Sequence, residues 1–538
     1  MSRSMGDMPT SIGTQSFYRT LALRSLENHA GGPLRSEEPV EGLKDIVIEL
    51  SDVPGTDEAG SAADLTPSEK AYLTKRHGTF ELDPMPSASD ADPYNWPRGK
   101  KVTVLLLVAF HCMVASLSMA VLIPAYSQMA KKFGMTEHDC TYFTLVQILL
   151  LGVAPLAWGP LATVYGRRPV FLVSLIMSLI GNVACGVSPN YGAMMFFRAF
   201  VAFFLSPANA LSSAVVTDTF LKTERARYIG ICTLMFCLGV PFGPFVFGFV
   251  TPRVSFRWIF WVLAIVNGVQ FVLYFFLGHE TLFIRHHDTP SSIFEQGSGG
   301  FKAKYLNFSR VGSRRISKLD FLEPLALAAY PCAILPTLAQ SVVFLCGSIF
   351  ITIEIPVQLQ PKFHLSIEQV GLQFLGMIIG CMIAEPVGGL LSDVCMSLRT
   401  RTREGYESPP EFRLWLSHAG YCLILIGVPL FLVSTENAVT GRWTVVPVVG
   451  TAIAAGGNQI AMTTLATYAV DCAVDDTVSV GILMSLSRQL IAFIGPLWFP
   501  TMMRSVGLKW CAAIIYALIV LLGILPTILI QWKGRHWR

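Results

Sequence analysis

From Val102 onward the chain returns repeatedly to stretches of about twenty apolar residues with almost no charge, each bounded by a short polar segment. An α-helix rises 1.5 Å per residue, so a ~30 Å hydrocarbon core takes about 20 residues to cross. The spacing predicts spans near 102–124, 141–162, 169–188, 191–215, 228–250 and 258–278. After a polar stretch they resume near 329–353, 370–391, 413–434, 443–466, 479–503 and 508–531. Barrel strands are excluded, because the blocks lack a ten-residue alternating pattern. The stretch 321–359 is apolar for longer than one crossing requires. The predicted fold class is an all-α polytopic membrane protein of twelve transmembrane helices.

Composition agrees. Of 538 residues, 52% are hydrophobic and 14% are charged, against about 25% charged in an ordinary soluble domain. A net charge of +4 is too small to argue for nucleic acid. The cysteines lie mostly inside apolar blocks with no CxxC pair, so they read as small hydrophobes rather than as disulfides or metal ligands. No cofactor or metal is expected, and no nucleophile arrangement argues for an enzyme. The GxxxxGK[ST] loop of ATP-driven pumps does not occur.

Five regions follow: a disordered cytosolic tail over 1–96, a six-helix bundle over 97–278, a central loop over 279–328, a second six-helix bundle over 329–531 and a short tail over 532–538. Residues 1–96 are rich in Ser, Pro, Gly and acids, and bury too little apolar surface to fold alone. Basic residues in short loops set orientation. Arg167, Arg168, Lys222, Arg225, Arg227, Arg310, Arg314, Arg315, Lys318, Arg399, Arg401, Arg403, Lys533, Arg535 and Arg538 fall on one side. Fewer fall on the other, which places both termini in the cytosol. On that assignment the sequon at Asn307 is cytosolic and unglycosylated.

The halves echo each other. Gly159-Pro160-Leu161-Ala162-Thr163 closes span two, and Gly389-Leu390-Leu391-Ser392-Asp393 closes span eight, each followed by arginines. With Gly166, Arg167 and Arg168, the first of these resembles the loop between helices two and three of the major facilitator superfamily, and in particular of fungal drug:proton antiporters. Thr163 stands where the family usually has an acid; Asp393 keeps the acid in the second half. Gly239, Gly243, Pro244 and Gly248 resemble the antiporter motif of helix five, with Phe247 in place of a second glycine. Arg198 resembles the helix-four arginine, and Asp218 and Glu224-Arg225 the cytosolic end of that helix. Asp92-Pro93-Tyr94-Asn95-Trp96, Glu411-Phe412-Arg413-Leu414, Tyr468-Ala469-Val470-Asp471-Cys472, Arg488 and Trp532-Lys533-Gly534-Arg535 resemble the fungal group.

The resemblance implies two six-helix bundles, transport by alternating access and proton-coupled efflux of a drug, toxin or secondary metabolite. Its partners are then a small organic substrate, protons and the lipid bilayer, with the protein a monomer in the plasma membrane or in a vacuolar or vesicular one. Uptake or exchange of organic cations such as polyamines, served by Glu385 and Glu354, is a second reading. A non-transporting receptor is a third.

Ionisable groups inside spans are functional candidates by default. Glu385 and Arg488 lie within spans eight and eleven, which flank the cavity in the implied fold. One reading pairs them, so that opening the pair lets the carboxylate take a proton. The other has Arg488 capping a backbone carbonyl and Glu385 holding a helix-to-loop contact. His111 in span one is another proton candidate, since an unperturbed imidazole titrates near 6.5, although a lone histidine on an apolar face is more often hydrogen-bonded structure. Arg198 and Asp218 read as gate or packing groups. Gln147, Asn209, Gln340 and Asn458, with the aromatics Phe344 and Trp498, are candidate pocket residues. Ordinary helix packing is the alternative for each.

Overall fold

A computed structural model describes residues 67–79, 82–283, 316–402, 409–473 and 476–537. Residues 1–66 of the expected 1–96 tail, the central-loop residues Asn307, Arg310, Arg314 and Arg315, and Arg403, Asp475 and Arg538 lie outside the described residues. Pro67–His77 forms a short helix in a unit of its own.

The main unit begins upstream of residue 97. Asp92 caps a 3₁₀ turn at Pro93–Asn95 by accepting from the Tyr94 N–H. The Tyr94 hydroxyl donates to the Thr217 carbonyl at 2.6 Å. Asp92, Tyr94 and Asn95 are all buried, so this lead-in is a docked strap.

Twelve helical runs follow: α1 (Arg98–Phe133), α2 (Glu137–Val153 bent by 40° into Pro155–Tyr165), α3 (Arg167–Val187), α4 (Tyr191–Thr219), α5 (Lys222–Val250), α6 (Arg257–Leu277), α7 (Pro331–Phe363), α8 (Ile367–Arg399), α9 (Pro410–Asn437), α10 (Val446–Cys472), α11 (477–506) and α12 (508–537). Nine helices among the described residues are long and apolar enough to cross a membrane, or ten with the bent pair α2. That count takes 477–537 as one run, yet Gly507 breaks it with φ 79° and ψ 167°, a backbone region essentially reserved for glycine. α10 is 27 residues long but rich in Gly, Thr, Asn and Gln, and almost wholly buried. A helix enclosed by other helices need not be greasy.

Proline and capping set the breaks. Pro155 bends α2 and Pro207 interrupts α4, because each removes an N–H from the helical ladder. Reciprocal capping boxes start α2 at Thr136/Asp139 and α8 at Ser366/Gln369. The over-long apolar stretch after 321 resolves into α7, which carries π-turns at Leu345–Ile349 and Ile355–Leu359. Another π-turn, Val387–Leu391, follows Glu385 and Pro386 in α8. Residues 532–537 of the expected tail instead continue α12, with Gly534 buried against Glu411 and Tyr468.

α1 packs on α5, α3 on α4 and α6, and α9 and α8 on α10. The first six helices meet the last six through α2 and α4 against α11, and α5 against α8 and α10. Large apolar side chains such as Phe196, Ile265, Ile383 and Trp510 are exposed on the outside, as a lipid-facing surface requires. All twelve cysteines are free thiols.

Candidate functional site

Where the first six helices face the last six, a cavity of about 40 Å³ is lined by residues of α1, α4, α5, α7, α10 and α11, among them Cys112, Asn209, Thr233, Phe236, Gln340 and Arg488. Arg488 is 6% exposed. Its guanidinium lies 4.0 Å from the Phe236 ring centre and 5.8 Å from that of Phe344. It makes no hydrogen bond or ion pair with any described residue. A cation within a span costs ~2.5–3.5 kcal/mol on insertion scales, and a cation–π contact returns roughly 0.5–2 kcal/mol. The rings offset only part of that cost.

Glu385 is half-buried on α8 and receives a hydrogen bond from the Gln459 amide of α10. Gly230 of α5 lies so close that a Cβ there would strike the carboxylate. Gln459 also donates to Thr233 Oγ1 at 3.3 Å and Thr463 Oγ1 at 3.2 Å, and those two hydroxyls are 2.7 Å apart. Thr233 is part of the cavity wall. A continuous polar chain therefore runs from the cavity through Thr233 and Gln459 to Glu385. The expected Glu385–Arg488 pair does not form, and neither does a carbonyl cap on Arg488. Glu385 faces α5 and α10, whereas Arg488 is turned onto the aromatic wall of the cavity.

At one end of the bundle the contact between the two sets of six helices is ionic. Arg225 Nη1 of α5 meets Asp471 Oδ1 of α10 at 2.9 Å. Asp471 Oδ2 meets Arg413 Nε at 3.2 Å, and Arg413 Nη1 meets Asp393 Oδ1 at 2.8 Å. Asp393 also accepts the Arg227 N–H at 2.8 Å, in the first turns of α5, where a carboxylate complements the helix dipole. Thr217 and Thr477 bond nearby at 3.1 Å. At the opposite end Arg253 pairs with Glu368 at 3.0 Å, but Arg253 is largely exposed.

The corresponding loop of the first half is wired differently. Among the described residues the Thr163 hydroxyl bonds only its own helix, at Pro160 O, and α11 begins on its own cap, Asp476 accepting from Ser479 N–H. Arg167 lies 3.4 Å from Asp218 and donates to Ala162 O. Glu280, which follows α6, accepts the N–H groups of Arg167 and Arg168 at 2.8 and 3.0 Å and so caps α3. Burial pushes the Glu280 carboxyl above its ordinary range, and the backbone N–H bonds pull it back. Gly166, at φ 95°, makes room for that carboxylate. Arg167 and Arg168 are buried, whereas Lys131 and Lys132 are exposed. Arg167→Ala with Arg168→Ala is therefore expected to lower surface expression or transport severalfold, and Lys131→Ala with Lys132→Ala to leave both near wild type. Equal losses at matched expression would overturn this.

A sequence model described as "Major Facilitator Superfamily" matches residues 108–496. The chain belongs to the major facilitator superfamily. This transporter is 27% identical over 468 residues to "MFS transporter cpaT" of Aspergillus oryzae, covering 86% of this chain and 91% of that one. It is 26% identical over 392 residues to "Probable efflux pump mfs2" of Aspergillus flavus, covering 71% and 90%. The crystal structure of the human organic anion transporter MFSD10 (TETRAN) shares the fold, with a TM-score of 0.54 at 17% identity over 81% of this chain and all of that one. The chain is thus an integral multi-pass membrane transporter and not an enzyme.

Within the transporter, the helix-five glycines do what their smallness suggests. A Cβ on Gly239 would collide with Ser116 Oγ and the Met113 carbonyl of α1. Gly243 faces the α1 backbone as well, and Gly248 touches Gly371 of α8. Gly159 is pressed by Ile482 of α11. Pro244 lies inside α5, its carbonyl facing Gly371.

The other candidates divide. Asn209 and Gln340 line the cavity, and Phe344 backs Arg488. Asn458 packs behind the cavity, its amide 3.5 Å from Cys237 Sγ. His111 is sealed between α1 and α3, 3.2 Å from Ser174 Oγ and edge-on to Phe171. Arg198 donates to Ser118 O at 2.8 Å, which satisfies a carbonyl near the break in α1, and Gln147 joins it at Ser118 Oγ. Trp498 is 39% exposed and does not line this cavity. Sequence reasoning missed Phe236, Thr233 and Glu280. Only Glu280 left a signal, as an acid just past a span end.

Proposed function

We propose that this transporter is a secondary active exporter of small organic molecules, driven by a proton gradient and working by alternating access to the central cavity. Two six-helix bundles, 97–278 and 329–531, rock about that cavity across twelve crossings. Both termini and the 279–328 loop lie in the cytosol, so the Arg225–Asp471 end is the cytosolic gate. The plasma membrane is the assigned location and the monomer the working unit.

The observation that carries the coupling is the Thr233–Gln459–Glu385 chain. It links the cavity wall to a carboxylate at the moving contact between α5 and α8, with no cation partner among the described residues. A proton on Glu385 changes the charge at that contact, and the substrate reports to it through Thr233. Efflux as the direction draws on the Aspergillus flavus relative, whose name makes it an efflux pump. The organic-cation reading gains no support. The cavity wall contains no carboxylate, and Glu354 is bonded to Gln358 outside it.

The test compares the media of cells lacking and overexpressing the protein. Compounds that depend on it should appear outside, and a protonophore should stop their release at unchanged ATP. Export indifferent to the protonophore would remove the proton coupling. For topology, a tag at Ser298 is expected to be protected from impermeant reagents in intact cells, as the basic-residue bias demands. Labelling there, with the protein verified at the plasma membrane, would reverse the assignment.

A further inference from the structure

We propose that the cavity at Arg488, about 40 Å³ as it stands and widening as the bundles part, is a binding site for organic anions: a carboxylate or similar oxyanion docks on the guanidinium, and its apolar body lies against Phe236. This rests on the cavity being the transport site and adds the chemical class of the substrate.

Arg488 differs from every other buried arginine among the described residues. Arg225 and Arg413 are committed to Asp471 and Asp393. Arg167 and Arg168 hold backbone carbonyls at Ala162 and Phe275, and Arg198 holds Ser118 O. Arg488 alone among them makes no hydrogen bond or ion pair with a described residue. A guanidinium presents five N–H groups in a planar fork that matches a two-oxygen anion, and such bidentate pairs are among the stronger polar contacts.

The wall fits an anion with an apolar body. It contains no carboxylate to compete for the cation or to repel the ligand. Both amide atoms of Asn209, Ser213 Oγ and Gln340 Oε1 are buried without partners, so a second polar group on the ligand would find donors and acceptors. Phe236 supplies an apolar face beside the charge, backed by the buried Phe344 ring 5.2 Å away. A cation in this cavity would meet an uncompensated positive charge. An uncharged ligand would leave the guanidinium unanswered.

Purified full-length protein in lipid nanodiscs, at fixed pH with no gradient, tests this by ligand-induced thermal shift. The probes are benzoate, naphthoate, succinate and citrate, each beside its neutral amide, with spermidine as the cationic probe. At least one acid should raise the melting temperature while its amide and spermidine do not. Arg488→Gln should weaken that binding about tenfold or more. Asn209→Asp, which sets an acid in the same wall, should do likewise and serves as the test if Arg488→Gln does not fold. Failure of all four acids, equal binding of an amide or spermidine, or an acid response that survives both substitutions would overturn the assignment. Because nothing is transported, loss of proton coupling would leave this result standing. Conversely, proton-driven export of cations with no acid binding would sink the anion site alone.

Discussion

Glu385→Gln is expected to abolish accumulation of substrate driven by a pH gradient, by a hundredfold or so in initial rate, while leaving substrate-for-substrate exchange within about twofold of wild type. Glutamine keeps the shape of a protonated glutamate, so the Gln459 contact and the fit beside Gly230 survive. What is lost is the change of charge. Net transport requires the empty carrier to return with or without its proton, and a site that cannot titrate returns in one state only. Exchange never needs that step. Reconstituted vesicles with an imposed pH difference separate the two. If the variant still concentrates substrate in step with the gradient, the proton site lies elsewhere. Gln459→Leu is a companion: it leaves Glu385 in place but cuts the chain to Thr233, so coupling should loosen without loss of titration.

The fold was legible because lipid imposes a simple rule. Every crossing must satisfy its own backbone in a helix of about twenty residues, and chain length and apolar spacing report that directly. Most of the helical runs coincide with the spans read from the sequence. The errors fell where that rule is silent. The Asp92–Trp96 strap is polar and short, so nothing in its hydropathy reveals that Tyr94 reaches Thr217 across 123 positions of sequence. The stretch from 321 looked too long for one crossing because apolar residues of the short turns Glu323–Ala326 and Leu327–Ala329 run straight into α7, and hydropathy does not mark where one ends and the other begins.

The site was half legible. Ionisable residues inside apolar blocks announce themselves, which is how Glu385 and Arg488 were found. Their pairing was an inference from scarcity, one acid and one base in facing spans, and it failed because helix rotation decides partners and sequence distance does not. Asn209 and Gln340 reached the cavity while Trp498 did not, for the same reason. The missing acid at Thr163 proved informative. The contact of α2 with α11 shows no ion pair among the described residues, so the ionic hold described between the two sets of helices at that end rests on the α5, α8, α9 and α10 side.

Asp471→Asn therefore tests that remaining hold. Asp471 is the carboxylate between Arg225 and Arg413, and all three side chains are almost fully buried. Removing its charge leaves the buried Arg225 guanidinium without a carboxylate, while Arg413 keeps Asp393, and breaking a buried pair in this way costs about 3–5 kcal/mol. The exposed pairs Arg253–Glu368 and Lys509–Glu436 are worth about 0–1 kcal/mol each, so they cannot compensate. If the pair exists only while this end is closed, a shift of ~3 kcal/mol moves the closed-to-open ratio by roughly a hundredfold. The variant is expected to populate the state open at the Arg225 end and to lose transport by about tenfold or more. A Thr217→Cys reporter, beside Thr477 at the same contact, should then react faster with a soluble maleimide, and Arg253→Ala should leave its rate unchanged. Should Asp471→Asn keep both wild-type transport and wild-type reporter reactivity, the network would be a structural staple within α8, α9 and α10, and the gate would have to be sought in the Thr217–Thr477 contact itself.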